Sequence, residues 1–154
     1  MSTFIGNSEA KLDAKGRVFV PSAYRKLLPE AERERLVMRI DPDNACLVLY
    51  PEGVWNRKVA DFKEKLDEWN PEDQMLLMQF VSDAEWLDID AQGRVLLPKR
   101  YLQQIGASSS VLFVGMLDRM AVWNKAAYEQ SRMSSAEFAK RLSAKMMKRP
   151  SVND

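Results

Sequence analysis

The first turn-bounded stretch of the chain alternates apolar and polar positions. Ala10 and Leu12 are interleaved with Glu9, Lys11 and Asp13, a period of two that predicts a half-exposed strand. Asp13-Ala14-Lys15-Gly16 then predicts a tight turn, because an Asp side chain bonds the backbone ahead of it and Gly tolerates positive φ. Arg17 to Val20 reads as a second strand, apolar on both faces and therefore expected to be buried. Pro21 opens a short helix, where its missing N–H is no loss, and Pro29 is expected to stop it. Leu36–Ile40 and Cys46–Tyr50 follow as a strand pair joined through Asp41-Pro42-Asp43-Asn44. The period then changes. Trp55, Val59, Phe62, Leu66 and Trp69 fall at helical spacing and predict one long amphipathic helix, read as core or subunit interface. Asn70 caps a shorter helix from Pro71 that carries Met75, Leu76 and Met78.

The same grammar then recurs. Asp13-Ala14-Lys15-Gly16-Arg17-Val18-Phe19-Val20-Pro21 returns 77 residues later as Asp90-Ala91-Gln92-Gly93-Arg94-Val95-Leu96-Leu97-Pro98, each followed three residues on by a tyrosine, Tyr24 or Tyr101. The flanks match as well: Phe4-Ile5 with Glu9 against Phe80-Val81 with Glu85, and Cys46–Tyr50 against Met120–Trp123. Val111–Val114 supplies the partner of Met120–Trp123, and Gly106 caps the helix before it. Asn124 caps a helix carrying Ala127 and Tyr128. Ser134-Ser135-Ala136-Glu137 is a capping box for a last helix that ends before Pro150, with Ser151–Asp154 frayed. Each half is strand-turn-strand-helix-strand-strand. The expected fold class is α+β and β-rich: two tandem repeats around one shared barrel core, with amphipathic helices outside. The boundaries fall at residues 3–79, 80–131 and 132–154.

Composition narrows the chemistry. With 154 residues, 46% of them hydrophobic, the chain is long enough for a core of its own. It has no histidine and one cysteine, Cys46, which excludes Ser-His-Asp and Cys-His catalysis, His-ligated zinc and any internal disulfide. Cys46 sits in an apolar run and is expected to be inert; the nine methionines read as core filler. No apolar run reaches the ~18 residues of a membrane span, and the N-terminus lacks a leader pattern, so a cytoplasmic protein is expected. The net charge is +1, so attraction for an anionic partner must come from a local patch.

Two Asp-x-x-Gly-Arg hairpins, each followed by Val-x-x-Pro and a short helix, resemble the MraZ family over roughly residues 3 to 130. The resemblance implies two fused AbrB-like swapped-hairpin repeats and a transcriptional regulator. Such a protein binds double-stranded DNA at short direct repeats upstream of a cell-division and cell-wall gene cluster and assembles as a ring of subunits. It implies no catalytic residues, cofactor, metal, membrane or small-molecule substrate, and nucleoid association. The family's motif falls here on Asp13 with Arg17 and on Asp90 with Arg94. Gln92 stands where the first hairpin has Lys15, which makes the second hairpin the weaker candidate.

The residues alone leave two readings of Arg17 and Arg94. A guanidinium fork fits a phosphate or guanine, and equally an ion pair with the Asp of its own turn. Asp13, Gly16, Asp90 and Gly93 are expected to form and orient the turns. Charge separates the hairpins. Glu9, Lys11, Asp13, Lys15 and Arg17 give a net +1, while Asp83, Glu85, Asp88, Asp90 and Arg94 give a net −3. The expected DNA contacts are therefore Arg17, Lys15 and Lys11, with Arg94 behind them, and the second hairpin is expected to face a neighbouring subunit. Arg25, Lys26, Lys99 and Arg100 read as solvated helix faces. The tail from Arg132 to Arg149 carries net charge +5 and an apolar stripe of Phe138, Leu142 and Met146. It is expected to dock on the body; a DNA arm and a membrane-surface helix are the alternatives. The competing functions are an oligomeric scaffold or non-specific nucleoid-associated protein and, far behind, an enzyme on a double-psi-like barrel.

Overall fold

The computed structural model describes residues 3–41, 43 and 45–147; Pro42, Asn44, Lys148, Arg149, Pro150 and the expected frayed end Ser151–Asp154 lie outside the described residues. Among the described residues, eight strands and six α-helices follow the expected order. The strands are β1 (Asn7–Lys11), β2 (Arg17–Phe19), β3 (Arg35–Asp41), β4 (Cys46–Pro51), β5 (Ala84–Asp88), β6 (Arg94–Leu96), β7 (Ser110–Gly115) and β8 (Met120–Trp123). The helices are α1 (Ser22–Arg25), α2 (Glu52–Glu64), α3 (Pro71–Ser82), α4 (Lys99–Ile105), α5 (Lys125–Ser131) and α6 (Ser135–Met147).

The halves are interleaved rather than laid side by side. One six-stranded antiparallel sheet runs β1-β7-β8-β4-β3-β5, and β2 pairs with β6 in a separate two-stranded ribbon. Each half gives its first strand to the other: β1 pairs with β7, and β5 with β3. The central contacts join a strand to its own counterpart, β4 to β8 and β2 to β6. Neither half could close its sheet alone, which is why the two repeats share one core. That core is built from every second residue of the strands, including Val18, Val20, Leu36, Met38, Leu49, Val95, Leu97, Phe113 and Met120. Tyr24 of α1, Leu28 just beyond it, and Leu102 and Ile105 of α4 close it. The opposite face of β3, β4 and β8, with Val37, Val48, Tyr50 and Ala121, is covered by Trp55 of α2. Trp55 stacks on Phe80 of α3 at 5.4 Å between ring centroids.

Several expectations change. Arg17–Val20 is not buried on both faces: Val18 and Val20 point inward, while Phe19 is 53% exposed, because β2 lies in a two-stranded ribbon with only one covered side. The long stripe ends early. α2 stops at Glu64, so Leu66 falls in the connection and Trp69 is 85% exposed. α1 ends at Arg25, ahead of Pro29, which instead precedes a 3-10 turn at Glu30–Glu32. The flank correspondence shifts by one: Glu9 faces Leu112 where Trp86 faces Val37, so Glu9 is equivalent to Trp86 and not to Glu85. The caps stand as expected. Asn70 accepts from the backbone N–H groups of Glu72 and Asp73, Asn124 from those of Ala126 and Ala127, and Gly106 ends α4 at φ +72°. At the last helix Ser134 Oγ accepts from Glu137 N–H, but the Glu137 carboxylate turns forward to Arg141 at 2.6 Å instead of back to the cap.

Cys46 is buried in the layer under α2. Burial, with Asp41 nearby adding repulsion of the thiolate, pushes its thiol up to about 12. Almost no thiolate exists at neutral pH, and the thiolate is the reactive form. Native protein is therefore expected to resist iodoacetamide at pH 7.5, while denatured protein is labelled fully. Rapid labelling of the native protein would contradict this burial.

Candidate nucleic-acid interface

The two Asp-x-x-Gly-Arg turns are built alike. Asp13 Oδ1 accepts from the backbone N–H groups of Lys15 (3.0 Å) and Arg17 (2.9 Å), and its Oδ2 accepts from Arg17 Nε at 2.6 Å. Asp90 Oδ1 accepts from Gln92 and Arg94 N–H, both at 2.9 Å, and its Oδ2 from Arg94 Nε at 2.9 Å. Gly16 and Gly93 take φ of +92° and +89°, the left-handed conformation that lets each chain turn back. Asp13 and Asp90 thus form and orient the turns. Each carboxylate holds its Arg through Nε, and the terminal guanidinium nitrogens of Arg17 and Arg94 make no hydrogen bond among the described residues. The ion-pair reading and the anion-contact reading of these arginines are therefore compatible in geometry.

Cross-strand register decides which way the arginines face. Arg17 lies opposite Leu96, Val18 opposite Val95, and Phe19 opposite Arg94. Val18 and Val95 point into the core, so Arg17, Phe19, Arg94 and Leu96 share the outer face of one ribbon. The two hairpins are thus joined in one ribbon rather than placed on separate surfaces. The two turns sit at its opposite ends, tied across by Val20 N–H to Gly93 O (3.0 Å) and Leu97 N–H to Gly16 O (2.9 Å). Each end of the face sets one arginine opposite one half-exposed apolar residue, Arg17 opposite Leu96 and Arg94 opposite Phe19, so its cationic corners lie on a diagonal.

The corners are unequal. The Arg17 side chain is 37% exposed against 23% for Arg94. Lys11 and Lys15 are exposed beside Arg17. Glu9, the nearby acid, is engaged by Lys125 Nζ (3.4 Å) and accepts from Ser110 Oγ (3.1 Å), and the Ser110 bond, then Lys125, lowers its pKa. At the other end Asp88 occupies the register position of Lys11, and Gln92 the turn position of Lys15. Glu85 there is held by Arg100.

Both turn carboxylates titrate below the usual Asp range, first because of the backbone N–H of Arg94 or Arg17 that each accepts, and then the Arg side chain. A depressed carboxylate pKa stabilises the fold above the unfolded Asp value and loses that contribution as pH falls through the folded value. Asp13→Asn is therefore expected to flatten the fall of melting temperature as the pH drops below about 4, the unfolded Asp value. An unchanged acid limb would show that these turns carry no such linkage.

Sequence reasoning missed two residues. Arg25 is half-buried, its Nε donates to Val20 O at 3.0 Å, and its guanidinium lies over Gly93. The equivalent place over Gly16 is taken by Leu102. That Arg-for-Leu exchange between the repeats was the available signal. Tyr24 is the other: its hydroxyl donates towards Ile5 O (3.1 Å) and Gly6 O (2.8 Å), anchoring the strand that leads into the first hairpin. Lys26 and Lys99 are exposed as expected. Among the described residues no group of three or more Asp, Glu or Cys side chains could share a metal ion. No helix among them is long and apolar enough to cross a membrane.

The doubled hairpin motif and its interleaved strands have a close match among known families. The family model described as "MraZ protein, putative antitoxin-like" matches the chain twice, over residues 3–78 and 80–149. The chain belongs to the MraZ family. The second match runs through α6, past residue 130, where the motif resemblance ends. The chain is 45% identical over 138 residues to the transcriptional regulator MraZ of Bacteroides thetaiotaomicron, covering 90% of this chain and 88% of that protein. It is equally similar, 45% over 139 residues, to that of Phocaeicola vulgatus, covering 90% of each. Identity to the MraZ regulator of Shewanella pealeana is 32% over 127 residues, covering 82% and 83%.

Proposed function

We propose that this chain is a sequence-specific, DNA-binding transcriptional regulator that works in the cytoplasm, on the nucleoid, and performs no catalysis. Its target is a set of short direct repeats upstream of a cell-division and cell-wall gene cluster, engaged by a ring of subunits. The observation that carries the reading is the outer face of the β2–β6 ribbon, where two arginines are oriented through Nε with their terminal nitrogens free to meet an anion. A two-stranded ribbon is narrow enough for the DNA major groove, and a guanidinium fork reads guanine O6 and N7. Lys11 and Lys15 add phosphate contacts at the Arg17 end. One ribbon of this size binds weakly; joining several makes the later contacts intramolecular, which repeated target elements would match.

Fluorescence anisotropy of the repeat DNA against a shuffled duplex tests the reading. Tighter binding to the repeats at physiological salt is expected, with log affinity falling linearly in log salt. Equal affinity for both duplexes would leave only the non-specific nucleoid protein, and no binding to either would leave the scaffold. Lys15→Ala is expected to lower the salt slope by about one per engaged subunit while keeping the preference for the repeats. An unchanged slope would remove Lys15 from the interface.

A further inference from the structure

α3 and α6 occupy the same place in the two repeats, each following the shorter or longer helix that leaves the central strand β4 or β8. They are nearly equal in length, 12 and 13 residues, and opposite in charge. From Pro71 to Asp88, α3 and β5 carry five acidic side chains and no basic one. α6 carries Lys140, Arg141 and Lys145 against Glu137. Each also bares an apolar row. On α3, Met75, Leu76 and Met78 are exposed, and Val81 and the half-exposed Trp86, whose ring carries the Arg35 guanidinium at 3.7 Å beside the Arg100–Glu85 pair, continue the row along a cleft beside β5. On α6, Phe138, Leu142 and Met146 repeat every four residues, all exposed.

α6 buries none of its side chains in the described structure. An isolated helix of ~13 residues is marginal in water, and most helical stability in proteins comes from packing an apolar face. The expected docking of this helix on its own body does not occur: α6 and the α3 face are both bare in the same chain. Two bare faces of matching length and opposite charge stand on one chain without covering each other in it. They can cover each other between copies, and such a contact is heterologous, with each copy offering one face of each kind.

The geometry points to α6 of one copy docking, apolar row to apolar row, on the acidic α3–β5 face of the next copy. The proposal rests on the assembly part of the reading above and supplies its interface: Phe138, Leu142 and Met146 seat on Met75, Met78 and Trp86, with Lys140 and Lys145 facing Glu72 and Asp83. The ribbon stays outside the contact.

Paired variants test it, because none of the altered side chains is buried. Leu142→Asp with Met146→Asp spoils the donor helix, and Met75→Asp with Met78→Asp spoils the acceptor. Each protein alone is expected to sediment as a monomer near 17.7 kDa with the wild-type melting temperature. Mixed in equal amounts, they retain one intact donor and one intact acceptor between them. The mixture is expected to double in mass and stop there. Both variants keeping the wild-type oligomeric mass would overturn this interface and leave the ring itself standing. A mixture that stays monomeric would overturn the head-to-tail pairing of these two faces. A monomeric wild-type protein would overturn the interface and the ring together, while binding to a single DNA repeat would still be measurable.

Discussion

Arg17→Ala is expected to remove the band shift on a multi-repeat DNA while leaving the oligomer intact. Losing one base or phosphate contact costs about 1–3 kcal/mol per ribbon, roughly 5- to 150-fold in affinity. Where several subunits hold the same DNA, the loss multiplies with the number engaged, so binding falls beyond a practical titration. Arg94→Ala should weaken binding too, since both arginines share the outer ribbon face, but by less. Its side chain is the more enclosed of the two, and its surroundings offer Asp88 and Gln92 where Arg17 has Lys11 and Lys15. A gel-shift titration with oligomer mass checked for each variant reads the order. Equal losses would show that the charge difference between the ribbon ends does not bear on DNA. Normal binding by an intact Arg17→Ala oligomer would remove the contact assignment.

Gly16→Ala should be the most damaging single methyl in either hairpin. A Cβ there would stand 2.7 Å from the Leu97 carbonyl oxygen, backbone that is itself locked by the Leu97 N–H bond to Gly16 O. The φ of +92° adds strain of order 1–3 kcal/mol for any L side chain. Relief requires opening the ribbon end that presents Lys15 and Arg17, so stability and DNA affinity should fall together. Gly93→Ala carries similar backbone strain at φ +89°, but its Cβ would meet the Arg25 guanidinium, the far end of a side chain that can move. It should cost less stability and should release Arg25 from Val20 O. Thermal melts of the two variants give the ranking. Gly93→Ala melting below Gly16→Ala would mean that Arg25 is held more firmly than the ribbon backbone.

The repeat made most of the fold legible. The Asp-x-x-Gly-Arg turns, the Asn70 and Asn124 caps, and both strand pairs follow from local rules that act within a few residues. Features that depend on partners distant in sequence were hidden. Phe19 reads as core by composition, yet it lies on the open side of a ribbon whose other strand is 77 residues away. Trp69 continues the α2 stripe by spacing, but the helix has already ended. The Arg17–Asp13 pair was legible; that Arg17 and Arg94 share a face was not, because no spacing rule says that β2 pairs with β6 rather than within its own half. The tail stripe was read correctly as amphipathic. That it would stay exposed on the chain's own body was not legible.

DNase I footprinting of the purified protein on the DNA upstream of its own gene tests the central claim most directly. Periodic protection over consecutive short direct repeats is expected, lost with Arg17→Ala at concentrations where the oligomer is intact. Uniform protection without register, or an Arg17→Ala pattern identical to wild type, would contradict it.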